Sequence, residues 1–176
     1  MSTRSCIILK LRKEDIGKKL KFQEGLLPVP LDKWQHKDLD GSVWRDESGK
    51  NLCRPVVINS QYIGIYCHFD GYPSGVGSAI KKCFKDYDSV LNLIVGGSCS
   101  YIENDSIRHY ANRQDEQWKY LKPLQGDHQS DLITRFRDSW SEYAYLYDEE
   151  RGGWLYKSIC TNNPFKNGFK ALRLGK

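Results

Sequence analysis

The chain has 176 residues, of which 39% are hydrophobic and 28% charged, and its net charge at pH 7 is +5. This composition is too apolar for a disordered tail and lacks the short repeats of a collagen or a coiled coil. No apolar run approaches the ~20 residues that a bilayer span needs, so we expect no membrane partner. Because domains usually take about 100–150 residues, we expect residues 1–176 to form a single domain.

The N-terminus and the cysteines favour a protein that stays in the cytoplasm. The apolar stretch at residues 6–9 is shorter than the ~7–15 residues of a signal peptide's apolar region. Six cysteines are compatible with disulfides, but disulfides are typical of secreted chains. No C-x-x-C pair supports a zinc ribbon or a redox site. The alternative, reduced thiols that pack as small hydrophobic side chains, is therefore favoured.

Positive charge is concentrated at the two ends of the chain. Residues 1–22 carry seven basic and two acidic side chains, and residues 151–176 carry six basic and no acidic ones. If the two ends lie together, they form a cationic face that attracts a phosphate backbone or an acidic protein surface. The alternative is a solvated surface that keeps the protein soluble. The predicted binding residues are Lys10, Arg12, Lys13, Lys18, Lys19, Lys21, Lys166, Lys170 and Arg173, together with the aromatic Trp34 and Trp44.

The first third of the chain predicts strands on either side of a long insertion. Residues 3–11 are apolar and β-branched and predict a strand with Ile7, Leu9 and Leu11 on one face and Ile8 on the other. Residues 12–51 contain four glycines, two prolines and many charges, which is typical of a loop-rich excursion from a core. Residues 56–58 and 62–67 then predict two short strands joined as a hairpin.

The remainder of the chain predicts two helices and a second hairpin. Residues 74–87 carry apolar side chains at helical spacing, and Asp88-Ser89 is suited to cap a second helix that ends at a glycine pair. Residues 142–147 and 154–160 flank a charged, glycine-containing turn and predict a β-hairpin. Residues 165–174 predict an edge strand or an extended tail. The fold class is therefore α+β, a mainly antiparallel sheet with two central helices packed on one face.

One segment between a predicted strand and a predicted helix has an unusual composition. Residues 66–77 read Tyr-Cys-His-Phe-Asp-Gly-Tyr-Pro-Ser-Gly-Val-Gly. The Asp-Gly and Pro favour a tight turn, and the last two glycines allow close backbone approach at a helix start, where anions are attracted. The Gly-Val-Gly lacks the third glycine and the parallel unit of a dinucleotide-binding loop, so it is only a weak sign of such a site.

Tyr66, His68, Asp70 and Tyr72 are the candidate site residues of this segment. If the strand continues, His68 and Asp70 point the same way and are suited to act as a base with its orienting carboxylate, or as two metal ligands. In the alternative interpretation, which we favour, Asp70 closes the turn or caps the helix and His68 binds nearby backbone. No Walker loop, G-x-S-x-G or H-E-x-x-H motif occurs. We expect no catalytic residue, no metal and no cofactor.

Residues 66–77, with Thr3, Arg4, Ser5 and Ile7, resemble a family of small proteins from phages, prophages and other mobile elements. The aromatic residues 143–147 and 154–156 are similar to that family's closing hairpin. The resemblance covers about half of the chain. The sequence departs from the family pattern at residues 12–51, where the family passes quickly to the next strand, and at Phe69, where tryptophan is common. The long insertion suggests a binding element added to a shared core.

The resemblance implies a mobile-element origin, and small phage proteins often act on host defence. The leading hypothesis is therefore a non-catalytic inhibitor of the anti-CRISPR type. Its expected partner is a host defence effector, such as a CRISPR effector with its guide RNA, bound through the cationic face. The alternative hypothesis is a small hydrolase or nucleotide-binding protein that uses His68 and Asp70 beside a helix N-terminus.

Overall fold

The structure, a computed structural model, describes residues 3–23, 54–104, 107–110, 118–161, 163 and 168–173. Three predicted binding residues, Trp34, Trp44 and Lys166, lie outside the described residues, as do Cys53 and most of the predicted excursion. No disulfide joins any two of the five described cysteines.

The described residues form ten strands and four α-helices. The strands are β1 (Arg4–Lys10), β2 (Lys19–Leu20), β3 (Val56–Val57), β4 (Tyr62–Cys67), β5 (Cys99–Ile102), β6 (Ile107–His109), β7 (Leu124–Gly126), β8 (Ser141–Asp148), β9 (Gly153–Ser158) and β10 (Lys170–Ala171). The helices are α1 (Ser78–Cys83), α2 (Tyr87–Val95), α3 (Trp118–Leu121) and α4 (Gln129–Asp138). Short 3₁₀ turns at Lys13–Asp15 and Glu149–Arg151 and a π-helical turn at Pro73–Gly77 complete the described elements.

Eight of these strands form one mixed, mostly antiparallel sheet. Its order is β10-β9-β8-β1-β4-β5-β6, and β7 pairs with β4. The central strand β1 pairs antiparallel with β4 and parallel with β8, so that Ile7 lies between Ile65 and Tyr145. An apolar strand in this position is buried from both sides, which agrees with its sequence. The α+β class predicted from the sequence is confirmed.

Helices cover both faces of this sheet. Ile7 belongs to a buried cluster that contains Ile80 of α1 and Leu93 of α2. Ile8 belongs to a second buried cluster that contains Phe136 of α4. The alternation predicted for the first strand is therefore confirmed, since neighbouring residues of a strand point to opposite faces. The layer formed by α4 is an addition to the architecture predicted from the sequence.

The hairpin predicted for residues 56–67 is wrong. β3 pairs antiparallel with β2, where Lys19 is opposite Val57, whereas β4 pairs with β1. The reason is burial: Ile63 and Ile65 are almost fully buried, while Val57 is 53% exposed. The more apolar strand takes a central position in the large sheet, and β3 forms a small outer sheet with the beginning of the excursion.

The second predicted hairpin is confirmed. β8 pairs antiparallel with β9 from Tyr143 opposite Ser158 to Asp148 opposite Gly153. Gly152 and Gly153 adopt φ values of +90° and +117°, which glycine reaches without steric cost. The predicted helix cap is shifted by two residues, because the carboxylate that accepts the Ser89 N–H, at 2.8 Å, belongs to Asp86.

Trp140 occupies a backbone position that usually takes glycine. It follows α4, its φ is +66°, and its N–H donates to the Arg137 carbonyl at 2.9 Å. A residue with a side chain costs roughly 1–2 kcal/mol in this left-handed conformation. The ring is also 76% exposed, so burial in the described chain offsets little of this cost.

We expect Trp140→Gly to raise the free energy of unfolding by about 0.5–1 kcal/mol, because glycine removes the backbone strain but loses more chain entropy. Urea unfolding of the two proteins measures the difference. Trp140→Ala is the matched control, since it deletes the ring and keeps the strain, and it should give no gain. A glycine variant no more stable than the alanine variant would contradict the strain argument.

A buried carboxylate fixes the start of the excursion to the core. The Tyr87 hydroxyl donates to Asp15 Oδ2 at 2.6 Å, and Lys18 Nζ lies 3.0 Å from Oδ1. Burial opposes ionisation of Asp15, but these two contacts outweigh it and hold the pKa of Asp15 below its usual 3.8. The contacts therefore stabilise the fold when Asp15 is ionised.

Tyr87→Phe is expected to lower the free energy of unfolding at pH 7 by about 1–2 kcal/mol, because a buried carboxylate loses its hydroxyl donor. Since the folded pKa of Asp15 is depressed, its contribution is present above the unfolded pKa and is lost as the pH falls through the folded value. Urea unfolding at pH 7 and at pH 3 checks this expectation. The difference in the free energy of unfolding between wild type and variant should be smaller at pH 3 than at pH 7. An equal gap at both pH values would argue against an ionised acceptor.

Candidate functional site

Residues 66–77 form a turn that is bonded to the centre of the sheet. Asp70 has a φ of +55°, a conformation that aspartate tolerates better than most residues. The Gly71 N–H donates to the Thr3 carbonyl at 2.8 Å, and the buried Tyr145 hydroxyl donates to the Gly71 carbonyl at 2.7 Å. The turn is thereby fixed against the start of β1 and against β8.

The structure gives His68 and Asp70 different partners. His68 Nδ1 lies 2.6 Å from the Tyr66 hydroxyl, whereas the Asp70 carboxylate accepts the Tyr72 hydroxyl at 3.3 Å. Burial, assisted by the positive charge of Arg4, lowers the pKa of His68, so its imidazole is neutral at pH 7. The base-and-carboxylate pair considered from the sequence is not formed among these contacts. The described residues also contain no group of three His, Cys, Asp or Glu side chains placed to hold a metal ion.

Two of the predicted N-terminal cations are paired with the acidic turn between β8 and β9. The Arg12 guanidinium binds both oxygens of the Glu149 carboxylate, at 2.5 and 2.8 Å, and Lys10 Nζ lies 3.3 Å from Glu150. The bond to Arg12 lowers the pKa of Glu149, and the bond to Glu149 raises the pKa of Arg12. Lys18 is paired in the same way with Asp15. These three cations are thus compensated by carboxylates.

The other predicted N-terminal cations, Lys13, Lys19 and Lys21, are exposed, and so are Lys170 and Arg173. Over the described ranges, none of these five forms an ion pair. They fall into two groups, one around the start of the excursion and one on or next to β10.

The C-terminal strand reaches the same end of the sheet as Lys10. The Leu172 N–H donates to the Trp154 carbonyl, Trp154 is opposite Tyr147, and Tyr147 is opposite Leu9 of β1. Three strand spacings separate β10 from β1, or roughly 14 Å. The β8–β9 turn, which carries Glu149, Glu150 and Arg151, lies between them.

A cavity of about 350 Å³ lies beside β10. Four basic side chains line it, and we call it the basic pocket: Lys81, Lys85, Arg151 and Arg173. The Lys81 ammonium donates to the Leu172 carbonyl, and Arg151 Nη2 donates to the Phe169 carbonyl at 3.3 Å. In the part of the chain that the structure describes, no carboxylate forms an ion pair with any of the four. Their positive charge is therefore not offset by a direct ion pair, although Glu149 and Glu150 lie in the same turn as Arg151.

Two aromatic residues hold the shape of the basic pocket. Tyr147 and Trp154 line it and pack edge to face, with ring centroids 5.2 Å apart. Trp154 Nε1 donates to the Phe84 carbonyl at 2.8 Å, and the Tyr147 hydroxyl donates to the Lys85 carbonyl at 3.3 Å. These bonds join the end of α1 to the hairpin. The spacing of the cations is consequently set by the core and not by the exposed side chains alone.

Sequence reasoning counted Arg151 and Arg173 among the cations of the C-terminal end and named Arg173 as a binding residue, but it missed Lys81 and Lys85. Lys81 and Lys85 are four residues apart, a spacing that puts two side chains on one side of a helix. This spacing is the sequence signal from which Lys81 and Lys85 could have been grouped. Arg151 reaches the same pocket from the β8–β9 turn, and the sequence contains no signal that brings that turn to α1.

No protein-family model, curated protein or solved structure matches the chain. Of the helices that the structure describes, none has the length and apolar character to cross a bilayer.

Proposed function

We propose that the protein is a non-catalytic inhibitor of a host defence system, of the anti-CRISPR type, which binds an effector nucleoprotein or its RNA through the basic pocket. The observation that carries this proposal is the convergence of Lys81, Lys85, Arg151 and Arg173 on one cavity without a carboxylate partner among the described residues. The partner is expected inside the bacterial host cell.

A polyanion suits this pocket better than a single small anion does. Lys85 and Arg173 are exposed, and their side chains form no hydrogen bond or ion pair with the described residues, whereas Lys81 and Arg151 each use one donor on a backbone carbonyl. Arginine offers a planar fork that matches phosphate oxygens, and lysine offers a compact point charge. Several phosphates along a strand engage such dispersed donors together, and counterion release then adds to the affinity.

The acidic turn next to the pocket does not cancel its charge. Glu149 is bound by Arg12 and Glu150 by Lys10. Both side chains lie in the same turn as Arg151, so without these ion pairs they would repel a phosphate backbone there. The N-terminal cations thus support the basic pocket by neutralising its acidic neighbours.

The resemblance of residues 3–7 and 66–77 to proteins of phages and other mobile elements supports the choice of partner. An inhibitor that binds the guide or target RNA held by an effector needs a cationic, rigidly held surface and no reaction chemistry. The basic pocket offers such a surface, and its aromatic floor keeps the cations in place.

Titration of a fluorescently labelled single-stranded RNA with the purified protein, at 50 to 200 mM salt, tests the proposal. A protein that neutralises about four phosphates should show a slope of log affinity against log salt of about −3. Absence of saturable RNA binding would exclude direct RNA contact. A pull-down from bacterial lysate with and without RNase then distinguishes protein contact from RNA contact. A partner that is retained after RNase treatment is bound through protein, and a partner that is lost is bridged by RNA.

A further inference from the structure

A second cavity, of about 310 Å³, lies on the face of the sheet that α4 covers. It is bounded by β4, by the connection from α3 to β7 and by the end of α4. Three tyrosines and two cations line it, and we call it the tyrosine cleft: Tyr66, Tyr110, Tyr120, Arg4 and Lys122. Leu124 and Phe136 add apolar surface. A cavity of this size is in the range of small-ligand sites.

Two of the three rings are fixed by the fold, and one is exposed. The Tyr66 hydroxyl is bound to His68 Nδ1 at 2.6 Å, and burial raises the pKa of Tyr66 to about 12. Burial likewise raises the pKa of Tyr110. Both phenols are therefore neutral at pH 7 and offer uncharged aromatic surface. Tyr120, on the short helix α3, is 72% exposed, and the Lys119 ammonium lies over one face of its ring, 4.9 Å from the centroid.

The two cations of the cleft are available to an anion. Arg4 makes one long contact, 3.4 Å from Nη1 to the Ser139 carbonyl, and Lys122 is exposed. In the described ranges neither is paired with a carboxylate. Arg4 lies close enough to Tyr66 and His68 to influence both pKa values, which places its charge at the aromatic wall.

We infer that the tyrosine cleft binds one nucleotide, with the base stacked against Tyr120 and the phosphate on Arg4 and Lys122. Aromatic side chains stack on any nucleobase, because every base has a π-face, and adjacent cations bind the phosphate. This site is separate from the basic pocket and does not rest on the function proposed for it.

Trp140 indicates that the nucleotide belongs to a single strand. Arg4 lines both the tyrosine cleft and an adjoining groove of about 1040 Å³, and Trp140 lines that groove. Its ring is 76% exposed and is presented from a strained backbone position. A strained and exposed aromatic residue points to a binding role. A nucleic-acid single strand whose first base lies in the cleft would pass Arg4 and reach Trp140, which offers a second stacking surface. Asp138 and Glu142 also line the groove.

Uridine monophosphate, uridine and a uridine tetranucleotide are the probes, with binding followed by tryptophan and tyrosine fluorescence. The monophosphate should bind saturably and more tightly than uridine. Tyr120→Ala should weaken it about tenfold, which corresponds to ~1.4 kcal/mol of stacking. Tyr120→Phe is the matched control, since it keeps the ring and should retain affinity. Lys122→Ala should weaken the monophosphate and leave uridine unchanged.

Trp140→Ala distinguishes a nucleotide that belongs to a single strand from a free nucleotide. Loss of affinity for the tetranucleotide alone supports a single strand, and unchanged affinity for both supports a free nucleotide. Equal binding of uridine and its monophosphate, or no effect of Tyr120→Ala, would overturn the assignment. Lys85→Glu with Arg173→Glu should leave monophosphate binding intact, so that failure of this site is distinguishable from failure of the basic pocket.

Discussion

Replacing Gly75 by alanine is expected to lower the free energy of unfolding by about 3 kcal/mol, the upper part of the range for overpacking a closed site. An added Cβ would overlap the Asp70 carbonyl oxygen and press on the Tyr72 ring. That carbonyl cannot retreat easily, because it accepts the Val76 N–H at 2.8 Å. Neither can the turn shift as a whole, because Gly71 is bonded to Thr3 and to Tyr145.

Thermal and urea unfolding measure this effect, and two variants accompany it. Gly168→Ala is the matched control, because nothing lies within 4 Å of an added Cβ there. It should change stability by less than about 0.5 kcal/mol. Tyr145→Phe removes only the bond to the Gly71 carbonyl and should cost about 1–1.5 kcal/mol. If Gly75→Ala fails to fold, Tyr145→Phe still reports on the same turn. If Gly75→Ala and Tyr145→Phe are both as stable as wild type, these contacts do not hold the turn.

Such a result would explain the unusual composition of residues 66–77 through the fold. The glycines allow the turn to pack against the start of β1. At Gly71, for example, an added Cβ would overlap the backbone of Arg4 and Ser5. Residue types that suggest chemistry at the level of sequence, such as the His68 and Asp70 pair, then take separate partners. The favoured interpretation from the sequence, a structural turn, agrees with the backbone of Asp70. His68, however, bonds through Nδ1 to the Tyr66 hydroxyl and not to backbone, and the Asp70 carboxylate accepts the Tyr72 hydroxyl without capping the helix.

Local patterns of the sequence were sufficient for several elements. The alternation of Ile7 and Ile8 gave the two faces of β1, since it depends only on the period of a strand. The hairpin of β8 and β9 was equally readable, because its turn carries Gly152 and Gly153 between two alternating segments. Both are decided by residues that are close in the chain.

Pairings between distant residues were not readable in this way. The residues around β3 do not show whether this strand pairs with β4 or with β2. The pairing depends on how much apolar surface each position in the sheet buries. The basic pocket has the same origin. It takes Lys81 from α1, Lys85 from the connection that follows α1, Arg151 from a turn and Arg173 from the C-terminal segment, and these meet only after the sheet has formed.

Net charge along the chain was a poor guide to charge in space for a related reason. Counting assigned the N-terminal cations to a binding face, but a count ignores the carboxylates that folding brings to them. Arg12 and Lys10 meet Glu149 and Glu150 across β1 and β8. Their charge is neutralised within the molecule. The cations without an ion pair among the described residues are Lys13, Lys19 and Lys21 near the start of the excursion and, about three strands from β1, those beside β10.

Reversing the charge of Lys85 and Arg173 together is expected to weaken binding of single-stranded RNA by at least about tenfold at 100 mM salt. Each contributes up to ~0.7 to the salt slope, so the slope should become less steep by about 1.4. These two are chosen because their side chains form no hydrogen bond or ion pair within the described part of the chain, whereas Lys81 and Arg151 also bind backbone carbonyls. The melting temperature of the double variant should therefore stay close to that of wild type.

Lys13→Glu with Lys21→Glu is the matched control, because both lysines are exposed, lie outside the basic pocket and give the same change of net charge. If net charge alone attracted the RNA, both double variants would lose affinity equally and the pocket would have no special role. A loss confined to Lys85 and Arg173 ties binding to the pocket. Arg12→Gln then separates direct from indirect effects: it releases Glu149 beside Arg151, so RNA affinity should fall although Arg12 does not line the pocket.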